Sequence, residues 1–192
     1  LALGHTLHLL EDSSVPDHTR NDPHPHIFNM GSPYEDWTKK FTKQSITTAE
    51  NIGDEKPVIL SNLNDYFDKI ANYSNNNFFS KDTIFSERYI KPKIFSRNSE
   101  LINGLAYNFG YAKSFNGEKY KLVQIIKKYG SNDLKYSIED EAGAILLDYW
   151  SLLSKQSVLH GAGVIKLFFD EVEKEKQSKI LYQKNSPQRL SY

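Results

Sequence analysis

The chain has 192 residues, with 24 lysine plus arginine against 24 aspartate plus glutamate, so the formal net charge is zero. That length suits one domain, or one with an appendage, and the charge balance excludes a broadly basic nucleic-acid binder and an acidic disordered tail. A hydrophobic fraction of 39% with 13% aromatics excludes global disorder, and the lack of cysteine excludes disulfides, thiolate zinc fingers, iron–sulfur clusters and a cysteine nucleophile.

No stretch approaches the ~18 apolar residues of a membrane span. No charged segment followed by an apolar one, the pattern of a signal peptide, opens the sequence. The first residue is Leu1, and residues 1–10 already look like the middle of a helix, so a fragment or a processed form is expected.

Leu3, Leu7 and Leu10 give segment 1–12 helical spacing, and Pro16 stops it. Residues 13–34 are rich in turn formers, with Pro16, Pro23, Pro25, Gly31 and Pro33. Ser32-Pro33-Tyr34-Glu35 predicts a helix start, with serine as cap and proline at the first position, running through Trp37 and Phe41. Residues 51–58 read as a loop. Leu63, Phe67 and Ile70 mark a further helix that ends near Asn75-Asn76-Asn77.

The stretch 84–125 is different. Tyr89-Ile90-Lys91-Pro92, Leu105-Ala106-Tyr107-Asn108-Phe109 and Lys119-Tyr120-Lys121-Leu122-Val123 are strand-like, and Asn116-Gly117 between two aromatic runs is a hairpin signal. The expectation is a mainly helical, all-α domain over 1–192 with a small β-hairpin inserted at 84–125. From Ser137 the pattern is helical again, in two helices, 138–153 and 157–177, broken near Gly161 and Gly163, before a frayed polar end.

Five of the six histidines fall in residues 5–26: His5, His8, His18, His24 and His26. Uniform scatter would place fewer than one there. Asp12, Asp17, Asp22 and Glu35 interleave with them. His8 and Asp12 are i and i+4 on one helix face, with Cβ atoms ~5–6 Å apart, and His5 stands one turn earlier. Pro16 turns the chain so that His18 folds back toward the same point. Ligands of nitrogen and oxygen type, with no sulfur, suit catalytic rather than structural zinc, and more than four candidates point to two or more ions. The alternative for each histidine is an exposed polar loop residue. Asp17 and Asp22 are either acceptors that orient histidines or simple turn residues. His160, alone on an apolar helix, reads as a satisfied core residue. Trp150 reads as helix packing and Phe168-Phe169 as a core face, with a lipid-facing role as the alternative. Residues 170–176 read as a solvated helix face.

The order His8-x-x-x-Asp12-x-x-x-Pro16-x-His18 resembles the zinc-dependent phospholipase C and P1 nuclease family. Glu35, opening its helix in Ser32-Pro33-Tyr34-Glu35, matches that family's glutamate ligand. The family's histidine four residues before that glutamate is absent, because that position is Gly31; His24 takes its place, with His26 or His5 as substitutes. The likeness is specific over residues 3–37. The resemblance implies a phospholipase C-like fold with His8 and Asp12 on one zinc ion and His18, His24 and Glu35 on another, of two or three in the complete site. It implies hydrolysis of a phosphodiester, with phospholipid at a membrane surface as the expected substrate, no stable nucleic-acid complex, and export from the cell. Tyr34 and Trp37 are candidate substrate contacts. Further family ligands and the aspartate base lie upstream of the matched helix. A single-strand nuclease of the same fold, or a non-catalytic metal-binding domain, are the alternatives.

Overall fold

The computed structural model describes residues 2–23, 31–39, 48, 50, 52–114 and 117–185. In chain order the described elements are α1 (Ala2–Asp12), α2 (Pro16–Thr19), α3 (Pro33–Thr38), α4 (Leu63–Asn77), a 3-10 turn (Lys81–Thr83), β1 (Ser96–Ile102), β2 (Leu105–Lys113), β3 (Lys119–Lys127), β4 (Leu134–Ser137) and α5 (Ala144–Asn185).

The leucines of α1 form its buried stripe. Leu10 is fully buried with Tyr66 and Ile70 of α4 and Val164 of α5, and Leu3 and Leu7 pack against the same cluster. Pro16 opens α2, as fits a residue with no N–H to donate at a first helical position. Ser32 caps α3 as predicted, its Oγ accepting from the Glu35 N–H at 3.2 Å with Pro33 next in line. The described helix stops at Thr38, short of the predicted run through Phe41, and residues 40–47 lie outside the described residues. α4 begins and ends close to where its apolar spacing places it.

The all-α expectation is wrong. Among the described residues, 49% are helical and 18% lie in a four-stranded antiparallel sheet in the order β1-β2-β3-β4. The hairpin predicted around Gly117 is the β2–β3 unit of this meander, but the sheet runs from 96 to 137, and Tyr89-Ile90-Lys91-Pro92 is not a strand. β1, Ser-Arg-Asn-Ser-Glu-Leu-Ile, is a polar edge strand with most of its residues exposed, so it carries no hydrophobic alternation to announce it. β4 is only four residues long. Both outer strands are held by pairing with their neighbours rather than by their own composition.

The main core lies between the sheet and the first half of α5. Phe109, Leu122 and Val123 from the sheet meet Ile145, Tyr149 and Leu153 of α5, with Phe78 wedged between. The Tyr149 hydroxyl donates to the Leu122 carbonyl at 2.8 Å, and the Lys121 N–H donates to Asp148 at 2.7 Å, so helix and sheet are bonded as well as packed. α5 is continuous through Gly161 and Gly163, where a break was expected. A mid-helix glycine costs only about 1 kcal/mol relative to alanine, and Gly163 has a packing reason: a Cβ there would overlap the Val58 carbonyl oxygen and sit 2.7 Å from the Tyr66 hydroxyl. Phe168 and Phe169 are exposed rather than part of a core face. Among the described residues, no helix is long and apolar enough to cross a membrane.

Candidate metal centre

α1, α2 and α3 hold the described members of the histidine-rich set. A tight turn joins the first two: Ser14 N donates to the Glu11 carbonyl at 2.9 Å and Val15 N to the Asp12 carbonyl at 3.0 Å. That turn ends α1 after Asp12 and leads into the one-turn helix α2, which carries His18. His8 Nε2 lies 3.8 Å from Asp12 Oδ2, the i, i+4 pair expected from spacing; the His8 side chain is 71% exposed.

The second pair is not local. His18 Nε2 and Glu35 Oε1 are 3.0 Å apart although 17 residues separate them in sequence. Both side chains are partly exposed. The Ser32 cap explains the position of Glu35, because it fixes the first turn of α3 and hence the direction in which the third helical residue leaves the backbone. A carboxylate only accepts, so His18 Nε2–H donates here. Loss of that proton turns the same two atoms into adjacent metal donors.

His24 and His26 lie outside the described residues. Among the described residues, no three histidine, aspartate or glutamate side chains converge on one point. Among the described residues the candidate ligands form two pairs, His8–Asp12 and His18–Glu35.

Tyr34 is buried in the main core, where burial and then the Asp17 charge hold its hydroxyl well above its usual range. Trp37 lines a cavity of about 650 Å3 beside α3, with Gly31, Pro33, Asp36, Lys81 and Glu139. Asp22 accepts from the Asp82 N–H at 3.0 Å, anchoring the 3-10 turn. Asp17 is buried, and its carbonyl accepts from Asp22 N at 2.9 Å.

Spacing arguments overlook Arg20. Its side chain is fully buried. Nε donates to Thr83 Oγ1 at 2.6 Å, and Nη1 donates to the carbonyls of Asn75 at 2.5 Å and Phe78 at 3.1 Å. Both terminal nitrogens reach the Ile90 carbonyl at 3.3 Å. The guanidinium also faces the rings of Phe79 and Tyr89. Desolvation pushes its pKa down from the ordinary arginine value. Arg20 thus ties the end of α2, two residues after His18, to the end of α4 and the segment beyond it. No residue-type pattern signals this, since an arginine in a turn-rich stretch reads as surface.

The chain matches no family model, no curated protein and no solved structure.

Proposed function

We propose that this chain is a zinc-dependent phosphodiester hydrolase of the phospholipase C-like kind, acting on phospholipid. The observation that carries the reading is the His18–Glu35 pair, brought within 3.0 Å across 17 residues beside the turn that follows the His8–Asp12 helix. Those four are among the five residues, His24 being the fifth, that the family resemblance assigns to zinc. The donor chemistry fits. Imidazole nitrogen and carboxylate oxygen are what a catalytic zinc takes from a protein, with one position left for water.

His18 and Glu35 supply two donors to one ion, with His24 as the third, and His8 and Asp12 supply two donors to another. Bound zinc lowers the pKa of a coordinated water toward ~7 and polarises phosphoryl oxygens. Glu35 adds negative charge beside His18, which favours a cation at that point. Arg20 and Asp22 hold the stretch after His18 against the 75–90 segment, so the imidazole is carried on a fixed backbone. Trp37 and the cavity it lines offer a place for the substrate next to α3.

The test is hydrolysis by the zinc-loaded protein of phosphatidylcholine vesicles and, in parallel, of single-stranded DNA. The reading expects turnover of the lipid and its loss, at least ~100-fold, in His18→Ala and Glu35→Gln. Turnover of DNA alone would make the protein a nuclease. Zinc bound with no turnover of either would leave a non-catalytic metal-binding domain.

A further inference from the structure

The β1–β2 turn at Asn103-Gly104 and the β3–β4 turn over 128–133 lie at the same end of the antiparallel meander, because β2 starts there and β3 ends there. That end is apolar on both faces of the sheet. The register Leu101↔Ala106 and Lys127↔Leu134 puts Leu101, Lys127 and Leu134 on one face, and Ile102↔Leu105 and Ile126↔Lys135 puts Leu105, Ile126 and Lys135 on the other. Leu101 is 75% exposed and Leu105 53%, Tyr129 in the β3–β4 turn is wholly exposed, and Ile126 and Leu134 are exposed too. A sheet packed on one side needs apolar residues on that side alone. Apolar side chains exposed on both faces of one tip serve no core.

The charges around the tip select a partner. Lys127, Lys128 and Lys135 are exposed there. Other lysines of the sheet are engaged: Lys121 lies 3.4 Å from Glu100 and 3.8 Å from Asp148, Lys113 stands over the Phe95 ring and Lys119 over the Tyr111 ring. The three at the tip form no ion pair among the described residues. Residues 101–106 and 126–135 hold these three lysines against one acid, Asp133, a net charge of +2 in a chain whose net charge is zero. Glu139, Asp140 and Glu141 line a cavity with Leu105 and Ile126. Two of them have partners: Lys81 lies 3.8 Å from Glu139, and Asp140 accepts from the Ala144 and Ile145 N–H groups at 3.0 and 2.9 Å. The excess positive charge calls for an anionic partner. The aliphatic side chains between the lysines offer no rings for bases to stack on, and they suit an acyl boundary lined with phosphates.

We propose that this tip docks on a phospholipid bilayer carrying anionic headgroups, with Leu101, Leu105, Tyr129 and Leu134 entering the interface and Lys127, Lys128 and Lys135 meeting the headgroup phosphates. The docking surface shares no residue with the proposed zinc ligands, so it stands whether or not the chain hydrolyses lipid.

Co-sedimentation of the full chain with vesicles, with and without added zinc, tests it apart from any turnover. The probes are phosphatidylcholine vesicles and the same vesicles with about 30% phosphatidylglycerol. A Tyr129→Trp variant reports insertion directly. The expected result is binding to the anionic vesicles alone, a blue shift of the added tryptophan's emission, and release in ~0.5 M salt. The side chains are exposed, so their replacement leaves the fold intact. Leu101→Ser is expected to weaken binding about tenfold, and Lys127→Gln with Lys128→Gln and Lys135→Gln about 100-fold. Phe168→Ser with Phe169→Ser, on the exposed part of α5, is expected to leave it unchanged. Absence of a blue shift, equal binding to pure phosphatidylcholine, full binding by the lysine variant, or equal loss in the α5 variant would each overturn the proposal. So would a dimer in sedimentation that Leu101→Ser abolishes, since a second copy would then cover the tip.

Discussion

At the scale of the residue, Arg20 is the side chain whose loss is predicted to cost most. Arg20→Met removes the donors that satisfy the carbonyls of Asn75, Phe78 and Ile90 and the Thr83 hydroxyl, in a place water does not reach. Leaving several buried acceptors unpaired is worth about 3 kcal/mol or more. Chemical denaturation should show that loss, and Arg20→Lys should recover little of it, because an ammonium cannot span the same acceptors. His160 gives a second prediction with a definite sign. Burial pushes its pKa below the ordinary 6.5, against the bond to Gln156 that raises it, while Lys69 lowers it further. Glu118, Lys155 and Tyr73 line, with His160, a cavity between α4 and α5. Below 6.5 the unfolded chain binds a proton that the folded chain refuses, so stability falls as pH falls from about 7. The melting temperature of the native chain should drop between about pH 7 and 5.5 by more than that of His160→Gln. Equal slopes would mean that this imidazole is not held neutral. The downward shift of Glu100, set first by its bond from the Tyr111 hydroxyl, acts below 4.5 and outside this window. Residue chemistry was partly legible in advance. His8–Asp12 follows from helix spacing alone, and the His18–Glu35 encounter was expected only through the motif it resembles. Arg20 and the His160 Nε2, buried without a hydrogen-bond partner among the described residues, were hidden, because their roles come from what the fold packs around them.

At the scale of the element, the glycines of α5 separate two effects that look alike in sequence. Gly161→Ala meets nothing closer than Leu7 Cδ2 at 3.8 Å, so alanine's better helix propensity should stabilise the protein by up to ~1 kcal/mol. Gly163→Ala would drive a Cβ into the Val58 carbonyl oxygen, a backbone atom held by the Val58 N–H bond to the Leu159 carbonyl at 3.1 Å. That substitution should cost about 2 kcal/mol or more. Thermal unfolding of the two variants in parallel checks both signs. Read as helix breakers, these two glycines gave the wrong boundary; one is permissive and the other makes room for a crossing segment. The β1–β2 turn shows the opposite failure. Asn103 and Gly104 both have positive φ, 51° and 82°, and join Ile102 directly to its partner Leu105. This is the Asn-Gly hairpin pattern, present in the sequence as plainly as the one at Gly117, and it would have extended the hairpin into a sheet. The Ser32 cap and the α4 spacing were legible because both are local rules that tertiary packing did not override.

At the scale of the whole molecule, α5 joins two cores. Its first half closes the sheet through Ile145, Tyr149 and Leu153, and Val164 belongs to the cluster formed with α1 and α4. The second core supports the leucine face of α1 and so fixes the helix that carries His8 and Asp12. The 3-10 turn, Arg20 and Asp22 link α2 to the end of α4, so the candidate centre rests on the same frame. The mixed architecture was not legible, because two of its four strands are held by pairing and not by their own pattern. The helical frame around the site was, because its apolar faces are periodic. His18 and Glu35, with His8 and Asp12, are the residues proposed to hold zinc. The most direct test is the zinc content of the purified chain by elemental mass spectrometry after dialysis, compared with His18→Ala and His8→Ala. Two or three zinc ions per chain are expected, one fewer in each variant, with unchanged helicity by circular dichroism. No zinc in the native chain after incubation with the metal, or full content in both variants, would contradict that proposal.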